Sequence, residues 1–573
     1  MLLQWYHFHS PRKIVSLYIC CAIVAIYLFV HIRSWLLGPG GLSLRELELG
    51  NQILDDDLTL TPQHVAISSH PIEKLWASKH AQLRRMVANQ SKTVGDAVTE
   101  YTRRYGRFPP QGFEAWVELA LARNMLLIDE FDSMTASLQR FSRLPPRVIK
   151  QRVNEALTMT EGDLLEFTVR NHKLEINFDK SKTLIGEHLW SWMSKDKDYL
   201  RLLPDMRFLV NNLDEPKVAA PLSTLQPEYL APSEKKDPLI EQDGMTEQYF
   251  LDLGQRSPWQ DMIVSCPQII SPPTTVFGQE PQFVSDIDTS RDLCSQPTLS
   301  GLHGLLMKPE TLTLTHNFVP IWSQAKLSTF QDILFPSPWY SAHATEYDPN
   351  QDLDWRDKET NLYWSGSTTG GHADVNNWPQ FQRQRAVLGT MPGYNERVVH
   401  LLEPTDTNSW VSTLGNSTDF QHLFHTKITA VIQCDENACD QQRNAFHLSD
   451  EVTVRDRLSD SYSHKYLLDL DGNGFSGRFY RLLHSKSAVI KQTIFQEWHD
   501  DWLVPWVHYI PLSIQGDEIW EIMRWLETER GDEIGRSIAE EGAKWARRVL
   551  RQGDMELVFL RLLLEYGRLV DEV

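Results

Sequence analysis

The sequence predicts an α/β protein with more than one domain. Its 573 residues are enough for two or three domains, and 41% hydrophobic and 23% charged residues describe an ordinary globular protein. A strand, a glycine-rich turn, a helix and a second strand follow one another between residues 466 and 491. A shorter strand runs into a polar loop at residues 208–216. Open α/β sheets bind ligands at the carboxyl ends of their strands, so both stretches are candidate site elements.

The glycine-rich turn at residues 471–477 follows the predicted strand Tyr466–Leu470 and precedes the predicted helix Arg478–Leu483. The next predicted strand is Ser487–Lys491. A helix that opens directly after such a turn points free backbone N–H groups at the turn, which predicts an anion site. Arg478 would add a guanidinium suited to forked phosphate contacts.

Other interpretations of this turn stay open. Gly472-x-Gly474-x-x-Gly477 satisfies the dinucleotide fingerprint, but the second strand ends in Lys491-Gln492 and not in the acidic residue that would hold a ribose. The same stretch resembles the opening of a calcium loop, whose position twelve would be Tyr480 and not glutamate. The turn could also simply reverse the chain.

The stretch from His464 to Gln492, followed by Pro505–Leu512, resembles the C-terminal half of the capsule-associated and Rumi-type glycosyltransferases, glycosyltransferase family 90. The resemblance implies a GT-B fold, with two Rossmann-like domains facing a cleft. It also implies inverting transfer from a UDP-sugar without a metal ion. Residues 103–134 are similar to the entry segment of fungal members of the same family.

A second informative stretch is Leu203–Pro216, in which Phe208–Val210 is a predicted strand. Members of the family carry a PD…N..D.P pattern here, and its aspartate acts as the catalytic base. By that match the base is Asp214. The alternative is an aspartate that caps the turn before Pro216.

Residues 362–371 read as a strand that runs into a hydroxyl-rich glycine loop, where a phosphate or sugar can approach backbone N–H groups closely. Ser365 occupies a slot that often holds arginine in the family, which puts the diphosphate contact at this loop in doubt and favours Arg478. The match continues through Arg383-x-Arg385, and Arg385 is either a phosphate ligand or the partner of an acid on a solvated helix.

Glu497 lies where a carboxylate could hold the ribose hydroxyls. The residues predicted to bind the donor are Ser365, Gly366, Ser367, Thr368, Arg385, Gly474, Ser476, Gly477, Arg478 and Glu497.

The N-terminal region predicts a membrane anchor. Ile14–Ile32 has no charged residue, is long enough to span a bilayer, and lacks a small-x-small cleavage site. The flanking charges, Arg12 and Lys13 before it and Arg33 after it, place the short N-terminus in the cytosol and the rest in the lumen. A buried helix is the alternative.

We therefore predict a cytosolic tail 1–13, a transmembrane signal anchor 14–32, a stem 33–75, an N-terminal Rossmann-like acceptor domain 76–345 and a C-terminal Rossmann-like nucleotide-sugar-binding domain 346–573. The second domain is predicted to close with helices over 517–529, 532–551 and 555–570, with Asp532 as the cap of the middle one.

Six cysteines occur, of which Cys20 and Cys21 lie in the predicted span. The remaining four suit an oxidising lumen, and proximity along the chain predicts the disulfides Cys266–Cys294 and Cys434–Cys439. A zinc site is the alternative, although Cys266 and Cys294 form no CxxC pair. Two sequons predict glycosylation at Asn89 and Asn416.

The net charge of −20 argues against nucleic acid as a partner. Taken together, the sequence predicts a single-pass type II membrane enzyme of the Golgi or endoplasmic reticulum. It would move xylose or glucose from a UDP-sugar to a hydroxyl of a glycan or glycoprotein, without a cofactor. Two alternatives remain, an inactive lectin-like protein and a metal-dependent transferase that uses Asp469 and Asp471.

Overall fold

The structure is a computed structural model that describes residues 69–570, except 161, 178, 180–182, 196, 226–248, 268–280, 342–346, 392, 394–395, 408 and 449–455. The predicted tail, the anchor Ile14–Ile32 with Cys20 and Cys21, and nearly all of the predicted stem lie outside these residues. Among the residues described, no helix has both the length and the apolar composition that a membrane crossing requires.

Helices and strands alternate through most of the described chain. The α-helices are α1 Pro71–Ala88, α2 Val94–Tyr105, α3 Phe113–Ala122, α4 Asp132–Phe141, α5 Pro146–Met159, α6 Leu184–Lys195, α7 Lys197–Arg201, α8 Leu222–Leu225, α9 Trp259–Met262, α10 Ile287–Ser290, α11 Gly304–Met307, α12 Gln382–Thr390, α13 Glu436–Ala445, α14 Leu458–Ser461, α15 Phe479–His484, α16 Ile519–Leu526, α17 Glu529–Val549 and α18 Gln552–Val570. The strands are β1 Leu164–Arg170, β2 Lys173–Ile176, β3 Met206–Asn211, β4 Leu251–Asp252, β5 Thr313–Leu314, β6 Ile321–Ser323, β7 Ala325–Lys326, β8 Ile333–Leu334, β9 Glu359–Ser367, β10 Val398–Pro404, β11 Trp410–Asn416, β12 Phe424–Ala430, β13 His464–Leu470, β14 Ala488–Gln492, β15 Gln496–Glu497 and β16 Ile510–Pro511.

The first lobe is built on a mixed five-stranded sheet with the order β2-β1-β3-β6-β8. Strand β1 is antiparallel to β2 and β3, whereas β3, β6 and β8 run parallel. Strand β3 contains the predicted strand Phe208–Val210, and all its residues except Arg207 are buried. Such an apolar run is typical of a parallel strand covered on both faces.

The second lobe is built on a five-stranded parallel sheet with the order β12-β9-β13-β14-β16. Its central strand β13 and the neighbouring β14 agree with the two strands predicted around the glycine-rich turn. The mixed α/β class predicted from the sequence is confirmed. The loops after β3, β9 and β13 leave the carboxyl ends of their strands and hold most of the predicted site residues.

Two hydrophobic cores support the lobes. One fills the first lobe and continues beneath the glycine-rich turn, where it includes Phe475 and Phe479. The other lies around the second sheet and includes Trp364 and Leu468. Helix α18 belongs to the first core and packs on α3, α4 and α5, so the chain returns to the first lobe instead of closing the second one.

The polar region 71–105 forms two helices, α1 and α2, because Thr93 caps α2 with a capping box. Two local predictions differ from the structure. Helix α17 begins at Glu529 and not at Asp532, since the Thr528 hydroxyl accepts the N–H of Gly531. Asp532 instead pairs with Lys465 at 2.7 Å. Helix α15, after the glycine-rich turn, begins at Phe479 and thus one residue later than predicted.

Both predicted disulfides, Cys266–Cys294 and Cys434–Cys439, are present. The zinc alternative for these cysteines is therefore wrong. The side chains of Asn89 and Asn416 are exposed.

Candidate functional site

The loops of the two lobes touch at the carboxyl ends of β3 and β13. A Cβ atom built on Gly474 would lie 2.6 Å from the backbone oxygen of Asp214 and 3.0 Å from its Cβ. Only a residue without a side chain permits this approach. The glycine-rich turn of the second lobe therefore packs directly on the Asp214 loop of the first.

The Asp214 loop is held by Asn211 at the end of β3. The Asn211 side chain donates to the backbone oxygen of Glu215 at 2.7 Å, and its oxygen accepts the N–H of Leu213 at 3.0 Å. The carboxylate of Asp214 makes no hydrogen bond or ion pair with the described residues. Its side chain is exposed, but the neighbouring loops remove enough water to raise its pKa. An accessible carboxylate with a raised pKa suits proton uptake.

Its neighbour Glu215 has a different environment. Glu215 is buried, accepts a hydrogen bond from Thr311 Oγ1 at 2.8 Å, and has a pKa raised to about 7 because burial disfavours its charge. Of the two adjacent carboxyl groups, only Asp214 is placed to meet a molecule in the cleft.

A cavity of about 350 Å³ opens on the second lobe beside Arg478. It is lined by Tyr363, Trp364, Ser365, Gly366, Ser367, Thr429, Ala430, Asp456, Arg457, Ser461, Leu467, Leu468, Arg478, Arg481 and Leu482. Four of the predicted donor-binding residues, Ser365, Gly366, Ser367 and Arg478, thus come together in one wall.

Positive charge dominates this cavity. Three arginines, Arg457, Arg478 and Arg481, line it, whereas the one carboxylate among its described lining residues, Asp456, pairs with Lys427 at 2.7 Å. Arg478 donates through Nη1 to the backbone oxygen of Ser365 at 3.0 Å and lies 5.9 Å from the ring centroid of Trp364. Burial lowers its pKa, and none of the described carboxylates forms an ion pair with it. The arrangement favours an anionic ligand with an aromatic or apolar part.

Arg383 lies behind the cavity wall, next to Trp364, whereas Arg385 is the arginine predicted to bind the donor. Its Nε donates to the backbone oxygen of Asp471 at 2.8 Å and its Nη1 to that of Ser367 at 3.1 Å. Its guanidinium carbon is 5.7 Å from the Trp364 ring centroid. Burial and the charge of Arg478 lower the pKa of Arg383 to about 9. Arg383 is buried and does not line the cavity, so it adds positive charge from behind the cavity wall.

Arg385 is not in the cavity. Its guanidinium donates to three backbone oxygens, those of Leu302 at 3.2 Å, Ile514 at 2.5 Å and Gln515. Residues two apart on a helix point about 200° away from each other, so only one of the two arginines of α12 can face the turn. The sequence shows that α12 contains Arg383 and Arg385, but it does not show which of the two faces the glycine-rich turn.

The remaining predicted residues are placed behind the cavity or beside it. Thr368 is buried, and its hydroxyl donates to the oxygen and accepts the N–H of Ile432, both at 2.8 Å. The buried Ser476 hydroxyl donates to Asp469. Gly477 lies beside open space, with no atom within 4 Å of a Cβ built on it.

Glu497 is buried beneath the turn, with 1% of its surface exposed. It accepts a hydrogen bond from the Tyr340 hydroxyl and lies 3.6 Å from Lys491 Nζ. Burial raises its pKa to about 8. The structure therefore does not bring Glu497 to the surface of the cavity where a ribose could reach it.

The carboxylates of the metal-dependent alternative are also buried. Asp469 pairs with Lys491 at 3.1 Å, and Asp471 accepts the N–H of Ile494 at 2.9 Å. Among the residues that the structure describes, no group of three or more histidine, cysteine, aspartate or glutamate side chains could hold a metal ion.

Comparison with known proteins agrees with the resemblance seen in the sequence. Residues 417–572 match the family model described as Glycosyl transferase family 90. An O-glucosyltransferase rumi homolog of Aedes aegypti is 33% identical over 119 residues, which are 20% of this chain and 29% of that protein. Protein O-glucosyltransferase 1 of Homo sapiens is 31% identical over 114 residues, 19% of this chain and 28% of that protein.

Protein O-glucosyltransferase 3 of Mus musculus is 30% identical over 109 residues, 19% of this chain and 21% of that protein. The matched segment thus spans less than a third of the length of these relatives. The resemblance to glycosyltransferase family 90 is confirmed for residues 417–572, which contain the glycine-rich turn and Arg478 but not Asp214, Ser365 or Arg383.

Proposed function

We propose that this protein is an inverting glycosyltransferase that moves a sugar, xylose or glucose, from a UDP-sugar to a hydroxyl of a glycan or glycoprotein. The observation that carries the proposal is the contact between Gly474 and Asp214, because it joins the loop of an exposed carboxylate to the glycine-rich turn that leads into Arg478 of the cationic cavity. The family match of the segment with the glycine-rich turn supports the same activity. The lobes would form a GT-B arrangement around this cleft.

The cavity would hold the nucleoside diphosphate. Trp364, Tyr363 and the leucines would offer apolar surface to the nucleoside, while Arg478 in the cavity wall would face the diphosphate and Arg383 would add positive charge from behind Trp364. Negative charge grows on the diphosphate as the bond to the sugar breaks. Fixed guanidinium groups in a partly buried site stabilise that charge without reorganisation, so they favour the transition state over the ground state.

Asp214 would act as the base. The acceptor oxygen attacks the anomeric carbon, the bond from that carbon to the diphosphate oxygen breaks, and the acceptor proton passes to the Asp214 carboxylate. UDP leaves with the bonding electron pair. Attack from the face opposite the leaving group inverts the anomeric configuration. The raised pKa of Asp214 makes its carboxylate a better proton acceptor than an ordinary aspartate.

We further propose a type II topology in the Golgi or endoplasmic reticulum, anchored by Ile14–Ile32. The two disulfides support an oxidising compartment. The predicted topology is tested with added sequons, which should be glycosylated beyond residue 40 and unmodified before residue 10. The reverse pattern would exclude it.

The activity is tested on the full chain in detergent with UDP-xylose, UDP-glucose and UDP-galactose, with and without EDTA. We expect UDP release with one donor, at a rate that EDTA does not change. Loss of activity in EDTA would favour a metal-dependent reaction, and no release with any of these donors would count against the function.

Arg478→Ala tests the cavity. Loss of one charge-assisted phosphate contact costs roughly 1.5–3 kcal/mol, so the donor KM should rise about tenfold to a hundredfold. Arg536→Ala is the matched control, because Arg536 is an exposed arginine that pairs only with Glu540 on α17. Equal donor kinetics for the two variants would mean that Arg478 does not contact the donor.

A further inference from the structure

Residues 304–310 of the first lobe pack closely on the loop that follows β9. A Cβ atom on Gly304 would lie 2.2 Å from the backbone oxygen of Gly370, and the N–H of His372 donates to the backbone oxygen of Lys308 at 2.7 Å. Leu305 and Leu306 belong to the first core, whereas Ala373 belongs to the second. The contact therefore joins the two lobes.

The imidazole of His372 bridges this junction. Its Nδ1 lies 3.0 Å from Glu310 Oε2, on the segment of the first lobe, and its Nε2 lies 2.9 Å from Asp435 Oδ1, at the start of α13. An imidazole can donate from both nitrogens only when both carry a proton. The complete bridge is therefore an imidazolium ion between two carboxylates.

Other charged groups surround the bridge. Lys308 Nζ lies 3.1 Å from Asp374 and 3.9 Å from Asp435. The hydrogen bond from His372 lowers the pKa of Asp435 and so keeps that carboxylate ionised. With Glu310, three carboxylates and one ammonium group therefore lie around the ring.

Contacts on both sides connect the bridge to the proposed site. On the first lobe, Thr311 follows Glu310 and donates to Glu215, the neighbour of Asp214. On the second lobe, the N–H of Gly370 donates to Asn473 of the glycine-rich turn at 3.1 Å. The loop that contains His372 also begins at Ser367, in the wall of the cavity.

We propose that protonated His372 is a positioning residue that holds the Asp214 loop in register with the donor cavity across the cleft. This inference rests on the proposed function. His372 touches neither the sugar nor the diphosphate; it fixes the distance between the base and the anomeric carbon. Its loss leaves the cavity intact and misplaces the base.

Two consequences distinguish this role from a purely structural one. A donor held in an intact cavity still binds, so kcat falls while the donor KM changes little. Misplacement of reacting groups by about 1 Å can cost on the order of a hundredfold in rate. A loosened junction also admits water, so a larger share of the donor sugar is transferred to water instead of the acceptor.

The experiment uses the full-length chain and compares His372→Gln, Glu310→Gln and Asp435→Asn with the wild type. Readouts are kcat, donor KM, the ratio of transfer to donor hydrolysis, and Tm. His422→Gln is the matched control, because His422 pairs with Glu527 at 2.9 Å on an exposed surface. We expect kcat to fall about tenfold to a hundredfold in each bridge variant, with donor KM within about twofold.

Bridge variants with the kcat and the hydrolysis ratio of the wild type would overturn the inference. If His372→Gln does not fold, the two carboxylate variants test the inference with the same readouts, because each removes one of the two contacts of His372. A wild type that transfers no sugar overturns the proposed function and this inference with it. An active wild type with an inactive Asp214→Asn and an unaffected His372→Gln overturns only the role of His372.

Discussion

Asp214 and Glu215 show how far the environment of a single residue decides its role. Both are carboxyl groups in the same loop, but Glu215 is buried and hydrogen-bonded, while Asp214 faces the cleft without a partner among the described residues. An Asp214→Asn substitution keeps the shape of the side chain and removes the base. Turnover should fall by roughly 10²–10⁴-fold, the usual contribution of a general base.

Melting temperature and donor binding should change little in Asp214→Asn, since its carboxylate makes no contact that the amide would break. Asp205→Asn is the matched control, an exposed aspartate at the opposite end of β3. If Asp214 only caps its turn, its variant would lose about 1 kcal/mol of stability and keep its rate.

Glu497 gives a prediction about stability. Burial raises its pKa from an ordinary value of 4.5 to about 8, so the folded state favours the protonated form. Its contribution to stability is complete below about pH 4.5 and is lost as pH rises through about 8. Glu497→Gln imitates the protonated form, and its Tm relative to the wild type should therefore increase between pH 5 and 9.

The free energy of unfolding should differ by at most about 1.4 kcal/mol per pH unit in that interval. Glu540→Gln, an exposed site, should show no such trend. A Glu497 variant that is less stable than the wild type at every pH would mean that the ion pair with Lys491 outweighs the burial of charge.

At the scale of residues, sequence patterns identified the region of the site better than its individual contacts. Arg478 was found because it follows the glycine-rich turn directly. Arg383 was passed over for Arg385, since spacing alone does not give the rotation of a helix. Glu497 and Thr368 have the right positions along the chain, but the direction of a side chain at a strand end depends on packing that no local pattern shows.

At the scale of elements, the contact between the glycine-rich turn and the Asp214 loop is open to a paired test. Gly474→Ala would place a Cβ 2.6 Å from the backbone oxygen of Asp214, so the two loops must separate. Overpacking of this kind costs about 1–3 kcal/mol, and we expect a lower kcat as well.

Gly477→Ala is the control within the same turn, because its Cβ would meet nothing within 4 Å. This variant should keep its rate, and it should be unchanged or more stable by up to about 1 kcal/mol, because alanine restricts the unfolded chain. Activity assays and thermal melts on both variants measure the difference. Equal rates and equal melting temperatures for Gly474→Ala and Gly477→Ala would argue against contact between the loops.

The strands were the most predictable elements. The apolar runs of β3, β13 and β14 are long, and glycine or polar loops end them clearly. The start of α17 was missed by three residues because two residues suited to capping, Thr528 and Asp532, lie one turn apart. In the folded protein Asp532 pairs with Lys465, which explains why Thr528 and not Asp532 is the cap.

At the scale of the whole molecule, the two disulfides should differ in their contribution to stability. Cys266 and Cys294 are 28 residues apart, and Cys434 and Cys439 only five. The entropy of loop closure predicts a loss of about 3–4 kcal/mol for Cys266→Ser with Cys294→Ser, and about 2 kcal/mol for the other pair. Chemical denaturation of both double variants measures this difference, and a larger loss for the shorter loop would contradict it.

Domain boundaries were the least predictable feature. Helix α18 is apolar on nearly all sides, which the sequence shows, but its partners are α3, α4 and α5 of the first lobe. Trp116 Nε1 donates to the backbone oxygen of Leu557 at 2.9 Å, across 441 residues of chain. Periodicity indicates that a helix is buried, but it does not show which other elements the helix packs against.

This return of the chain has a consequence for biosynthesis. Helix α18 completes a core whose other members include Phe113, Phe208 and Phe335, so the first lobe emerges from the ribosome without one of its walls. At about 5–20 residues per second, the 200 or so residues that separate Phe335 from α18 take roughly ten to fifty seconds to translate. Throughout that interval the nascent chain exposes an apolar groove, and its yield should depend on chaperones that shield the groove until the helix arrives.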